Sequence, residues 1–189
     1  MSKPLFRPVK PLGINQGFGE NTICVSTDGK NVVIPCDGHK PPKGFQSLYG
    51  PAGHLGVDMQ ATHGQPVYNV MDGVIYKIDT NQKSGLDVRV ECEWQGRKFR
   101  FIYEHLLGYQ YKVGDKVKAG DIIGWADNTG YSSGNHLHFQ MEELIGKKWV
   151  PIDPMPYMSE YYAQDISSLQ EKLARLSELL ADLLRSKGK

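Results

Sequence analysis

The chain has 189 residues, with 22 Lys+Arg against 21 Asp+Glu and a formal charge of +1, so it lacks the broad basic footprint with which proteins grip nucleic acid. No apolar run is long enough for a membrane-spanning helix, and the start, MSKPLFRPVKPLG, is broken by three prolines and has no apolar stretch of about 7–15 residues such as a secretory leader needs. The length suits one domain with a proper core plus an appendage.

From about residue 12 to 157 short apolar runs rich in Val, Ile and Tyr alternate with turn dipeptides, which predicts an all-β domain. TICVSTDGKNVVIPC reads as a hairpin about Asp28-Gly29, a pair suited to the positive-φ positions of a type I′ turn. Cys24, Cys36 and Cys92 cannot all pair within one chain and have no zinc-ribbon spacing. They read as incidental thiols, with a Cys24–Cys36 bridge as the alternative. CDGHKPPKGFQSLYGPAGH is a long Pro/Gly loop, a length that usually marks a binding rim or disorder.

GHLGVDM follows, with His54 and Asp58 four apart. A fully extended strand would separate their Cα atoms by about 13 Å, too far for one ion, so ligation by both requires a bend, which Gly53 and Gly56 permit. Strands are expected in QPVYNVMDGVIYKI, LDVRVECEW, KFRFIYEHL and DIIGWA. GQPVYNVMDGVI and GDKVKAGDIIG share a Gly-x-x-Val and a later Asp before two apolar residues, a hint of internal duplication. In FIYEHLLG, Tyr103 and His105 share one strand parity and Ile102 and Glu104 the other, which would aim His105 at an open face.

In SSGNHLHFQMEE, strand alternation puts His136, His138, Gln140 and Glu142 on one face and Leu137, Phe139 and Met141 on the other. Two imidazoles on an open face suit a metal, proton transfer or both, although an isolated H-x-H is equally consistent with two solvated strand histidines. Two His and one carboxylate fit a catalytic zinc site that leaves its fourth position to water. Asn128, Thr129 and Tyr131, in the turn DNTGYSSG ahead of this strand, are placed either to reach a ligand or simply to make the turn. His39 and His63 read as solvated loop residues.

After VPIDPMPYM the composition changes: residues 159–189 contain no proline and, before Gly188, no glycine. Ile166, Leu169, Leu173, Leu176, Leu180 and Leu183 follow a 3-4-3-4-3 spacing, the seam of a short coiled coil, with Leu179 and Leu184 widening the stripe. An amphipathic C-terminal helix over 158–189 is expected, separate from a domain over 1–157. Its leucines are buried either on the β domain or against another copy, giving a homo-oligomer.

QGFGE, GHLGVD, GQPVYNVMDGVIYKI, YEHL, VGDKVKAGDIIGWADNTGYSSGNHLHFQM and PIDPMPY, in that order, resemble the LytM/lysostaphin-type zinc metallopeptidases that cleave bacterial cell-wall peptidoglycan. The resemblance implies a small antiparallel β barrel-like sandwich of the duplicated hybrid motif type, with the metal in a groove. It implies that His54, Asp58 and His138 hold Zn2+ and that His105 and His136 stay off the metal and assist the chemistry. One of these two would take a proton from water and the other would stabilise the oxyanion, in an order that the residues leave open. Asn128 and Tyr131 are candidate substrate contacts. The implied activity is hydrolysis of a peptide bond in the stem or cross-links of peptidoglycan, either Gly-Gly or D-Ala-containing. Some relatives of this type have lost ligands and only activate other wall hydrolases; this chain keeps every ligand, which favours an enzyme over a non-catalytic wall-binding or activator protein. A wall substrate without a visible export signal points to phage-encoded lysis (an endolysin or virion hydrolase), another export route, or a leader already removed.

Overall fold

The computed structural model describes residues 5–11, 13–30, 32–36, 41–158 and 170–178. They fall into two compact units: Phe6–Pro154, and a smaller one to which Leu5 and the described residues from Met155 onward belong.

The larger unit is antiparallel β throughout its ladders. In chain order its strands are β1 (Ile14–Gln16), β2 (Ile23–Ser26), β3 (Val33–Pro35), β4 (Phe45–Ser47), β5 (Val57–Gln60), β6 (Pro66–Tyr68), β7 (Gly73–Asn81), β8 (Gly85–Trp94), β9 (Arg97–Tyr109), β10 (Lys116–Val117), β11 (Ile122–Ala126), β12 (His136–Ile145) and β13 (Lys148–Ile152). The main sheet runs β1-β5-β12-β9-β8-β7-β10, with β13 beside β12 and β11 bridging β6 and β9; β3-β2-β4 form a small second sheet. This is the all-β domain that the turn-punctuated sequence predicts, with the antiparallel pairing that the resemblance implies.

The two similar segments pair with each other reciprocally. β6, at the start of the first, pairs with β11, at the end of the second; β10, at the start of the second, pairs with β7, at the end of the first. A duplicated unit folded on itself gives this pattern.

β9 decides where the site lies. Phe99 to Glu104 pair with β12, whereas Leu106, Gly108 and Tyr109 pair with β11. The strand changes partner at His105, whose φ of 63° lies in the left-handed region, a conformation costing about 1–3 kcal/mol in a residue with a Cβ. Strand parity therefore fails here. Tyr103 is fully buried and packs on Phe139 with ring centroids 5.2 Å apart, its hydroxyl donating to Asn69 and accepting from the Val70 N–H. Glu104 lies opposite His138 in the ladder. His105 nonetheless joins the same face, because the corner turns its ring there and not because it shares alternation with Tyr103.

Alternation holds along β12. Leu137, Phe139 and Met141 are fully buried or nearly so, in a core with Val57, Met59 and Phe101, and Phe139 stacks on Phe101 at 6.1 Å.

Three local expectations need correction. Of the pair Asp28-Gly29 only Gly29 has positive φ, at 77°, so the β2–β3 hairpin closes through a longer connection than a two-residue type I′ turn. The long Pro/Gly loop contains β4, which pairs with β2, although His39 lies outside the described residues. Cys24 and Cys36 are joined by a disulfide across the small sheet, leaving Cys92 buried and free; the incidental-thiol reading holds for Cys92 alone.

In the smaller unit, residues 155–158 and 170–178 are helical. Residues 170–178 are exposed throughout, with Leu173 and Leu176 at 67% and 64%. The other seam positions, Ile166, Leu169, Leu180 and Leu183, and the flanking Leu179 and Leu184, lie outside the described residues. Among those described, no helix is long and apolar enough to cross a membrane.

Candidate functional site

His54 precedes β5, while Asp58 lies within it, directly opposite His138 on β12. The bend that brings His54 back over Asp58 starts at Gly53, with φ 72°, where a Cβ would also collide with the Gly19 carbonyl. The QGFGE segment grips this histidine. Gly19 N–H donates to the His54 carbonyl at 2.8 Å, His54 N–H donates to the Glu20 carbonyl at 3.0 Å, and His54 Nδ1 donates to the Gly17 carbonyl at 3.1 Å. A carbonyl only accepts, so Nδ1 carries the proton and Nε2 is left with its lone pair.

That nitrogen lies 2.9 Å from His138 Nδ1 and 3.2 Å from Asp58 Oδ1, and the last two atoms are 2.9 Å apart. The three atoms form a small triangle, the only such group of three or more metal-ligating side chains among the described residues. Bonds of about 2.0–2.1 Å to a tetrahedral ion would set donors roughly 3.3 Å apart. Two nitrogens and one carboxylate oxygen at this spacing therefore fit a zinc-type ion with little movement. The His138 ring lies so close to Gly56 that a Cβ there would meet its Cε1 and Nε2 at 2.8 Å.

Burial alone would raise the pKa of Asp58, but the imidazoles of His136, His138 and His54 packed against it outweigh burial and hold the carboxyl well below the usual carboxylate range. Asp58 is thus an anionic donor at any working pH.

His105 and His136 sit beside this triangle, their ring centroids 4.6 Å apart and His105 6.2 Å from the His138 ring. His105 Nδ1 donates to the Thr129 carbonyl at 2.7 Å, leaving Nε2 as the basic nitrogen. Burial pushes its pKa down to about 4, against the opposing effect of that hydrogen bond. His136 Nδ1 donates to the Gly134 carbonyl at 2.8 Å and contacts Ser132 Oγ at 3.1 Å, and its Nε2 is 3.6 Å from Asp58 Oδ1. Burial lowers its pKa, but Asp58 and the Gly134 carbonyl more than compensate and leave it raised. Burial thus favours the neutral form of His105, whereas the surroundings of His136 favour its charged form.

Two further polar residues, Glu104 and Tyr49, lie at the site. Glu104, opposite His138, is kept above the usual carboxylate range by burial. The Tyr49 ring centroid is 5.1 Å from that of His54, and its hydroxyl donates to Gln16 Oε1 at 3.2 Å. Burial, then the Asp58 charge, raises the pKa of Tyr49. Tyr49 lies inside the segment read as a loop, where no periodicity could single it out. Asn128 is exposed, between two residues whose backbones bond to His105, and Tyr131 is 64% exposed. His63, read as a solvated loop residue, is mostly exposed but donates from Nδ1 to Asp127 at 2.7 Å.

The family model described as Peptidase family M23 matches residues 52–154, the span holding His54, Asp58, His105, His136 and His138. The chain is 40% identical over 107 residues to the glycyl-glycine endopeptidase ALE-1 of Staphylococcus capitis, a match covering 56% of this chain and 29% of that protein. It is 31% identical over 134 residues to the peptidoglycan DD-endopeptidase ShyA of Vibrio cholerae serotype O1, covering 69% of this chain and 30% of that protein. Each match thus spans under a third of the relative's own length. The catalytic domain of the antimicrobial peptidase lysostaphin from Staphylococcus simulans superposes with a TM-score of 0.55 at 31% identity, over 78% of this chain and 92% of that one.

Proposed function

The chain belongs to peptidase family M23, and from that premise we propose that it is a zinc-dependent endopeptidase cleaving a peptide bond in bacterial peptidoglycan. The observation that carries this reading is the convergence of His54 Nε2, Asp58 Oδ1 and His138 Nδ1, with the imidazoles of His105 and His136 beside them. Zn2+ held by these three residues would supply a Lewis acid for the scissile carbonyl and acidify a water.

His105, neutral and with Nε2 free, accepts the proton of the attacking water and returns it to the departing amine. His136, whose charged form its surroundings favour, donates a hydrogen bond from Nε2 to the oxygen on which negative charge develops. Tyr131 and Asn128, exposed on the loop ahead of β12, contact the substrate peptide. The peptidase domain comprises residues 1–157. The tail 158–189 is a helix that pairs with a second copy through its leucine seam; the exposure of Leu173 and Leu176 supports this. The protein acts outside the cytoplasmic membrane, as a phage-encoded lysis or virion-associated hydrolase or by an export route of its own.

The test is turbidity clearance and product mass on several purified peptidoglycans, with and without a chelator. Chelator-sensitive release of new amino termini supports the proposal, and product masses distinguish Gly-Gly from D-Ala-containing bonds. Wall binding without turnover by the zinc-loaded protein would replace it with a binding or activator role.

A further inference from the structure

His105 occupies a left-handed corner that has to be held from outside. Three contacts do this, two of them from one short stretch. The His105 N–H donates to the Ser84 carbonyl at 2.9 Å, the Asp127 N–H donates to the His105 carbonyl at 2.9 Å, and Nδ1 donates to the Thr129 carbonyl. The same stretch reaches the second imidazole residue, because the His136 N–H donates to the Asp127 carbonyl at 3.2 Å.

The Thr129 side chain locks this stretch. Its hydroxyl donates to the Leu106 carbonyl at 2.9 Å and accepts from the Leu86 N–H at 3.2 Å, tying the loop to β9 one residue past His105 and to the start of β8. Gly85, with φ 63°, presses its Cα against Thr129, where any Cβ would collide. The Tyr131 N–H donates to the Lys83 carbonyl at 3.0 Å. The turn is itself braced, Asn81 accepting from the N–H groups of Lys83 and Ser84 and Ser84 Oγ donating to the fully buried Asp87. A threonine whose one hydroxyl proton is spent on a backbone carbonyl has no donor left for a bound peptide.

We propose that Thr129 is a positioning residue and not a substrate contact: its hydroxyl fixes the carbonyl that holds His105 in the Nδ1–H tautomer with Nε2 facing the reacting groups. The inference rests on the peptidase reading for its kinetic consequence but not for its structural one, so it is tested in both ways on the full chain. By 15N NMR of the histidine rings, wild-type His105 is expected as the Nδ1–H tautomer; finding Nε2–H would overturn the proposal, whether or not the protein is an active peptidase. Thr129→Val keeps the volume and deletes the hydroxyl. It is expected to mix the two tautomers and lower kcat by about 10²-fold, the scale of a misplaced catalytic group, with KM little changed. Thr129→Ser is expected to recover most of kcat. Thr129→Ala gives the same readouts should the valine variant not fold. A raised KM at unchanged kcat and an unaltered tautomer would make Thr129 a substrate contact instead and sink the inference; an inactive wild-type protein with the expected tautomer change would remove the peptidase reading and leave the strap intact.

Discussion

His54 Nε2 lies 2.9 Å from Nδ1 of His138, a residue 84 positions further along the chain. Neither residue brings the other there. β5 and β12 pair with Asp58 opposite His138, and the turn ahead of β5 folds His54 back over that pair. The triangle is therefore a product of strand register, and a change in any corner leaves the other two preorganised but incomplete.

Asp58→Ala and His138→Ala should each purify without stoichiometric zinc, whereas the parent protein should carry about one per chain, since two remaining protein ligands make an incomplete site. Elemental analysis after dialysis decides it. Full metal content in both variants would break the ligand assignment.

His105→Ala and His136→Ala should retain most of the metal and lose roughly 10²–10⁴-fold in rate, the range for a positioned proton-transfer group. Single-turnover hydrolysis of a defined wall peptide measures this, and near-native turnover in either variant removes that residue from the mechanism.

Cys92 is 6% exposed, and burial, followed by the charge of Glu91, pushes its thiol up to about 12. In the unfolded chain the thiol returns to about 8.5. Between these values the unfolded state has released a proton that the folded state keeps, so the contribution to stability is whole below about pH 8.5 and falls as pH rises, by up to about 1.4 kcal/mol per pH unit. Urea midpoints compared at pH 8 and 9.5, below the range where the buried Tyr103 phenol adds its own effect, should fall in the parent and stay level in Cys92→Ala. Without reductant, a maleimide should label Cys92 only as the protein unfolds; labelling of the folded protein at the rate of a free thiol contradicts the burial.

The proposed pairing of the tail through Leu173 and Leu176, exposed on the helical residues 170–178, is tested by the oligomeric state, since a short isolated helix is marginal in water. Light scattering at micromolar concentration should show an oligomer for the full chain and a monomer for a version ending at Met158. A monomeric full chain would mean that the seam is covered within the chain or by a different protein. If the oligomer forms, linked domains hold a polymeric wall more tightly than one alone.

Much of the site could be read from residue types and local period. Imidazole and carboxylate chemistry belongs to the side chains themselves, and alternation along β12 correctly separated His136 and His138 from Leu137 and Phe139, because its ladders with β5 and β9 run without a register shift. The all-β class followed in the same way from turn residues between short apolar runs. Where the backbone leaves regular geometry, local period has nothing to say. His105 reaches the site through a left-handed corner at which β9 exchanges β12 for β11, a partner change set by long-range pairing and invisible in FIYEHLLG. Tyr49, the Cys24–Cys36 bridge and the Thr129 strap likewise depend on which distant segments meet. The chain's own chemistry names the groups that can bind a metal and move a proton; only the closed ladders decide which way the His54 and His105 rings point and which carbonyl holds each proton, because those orientations are determined by hydrogen bonds to residues tens of positions away.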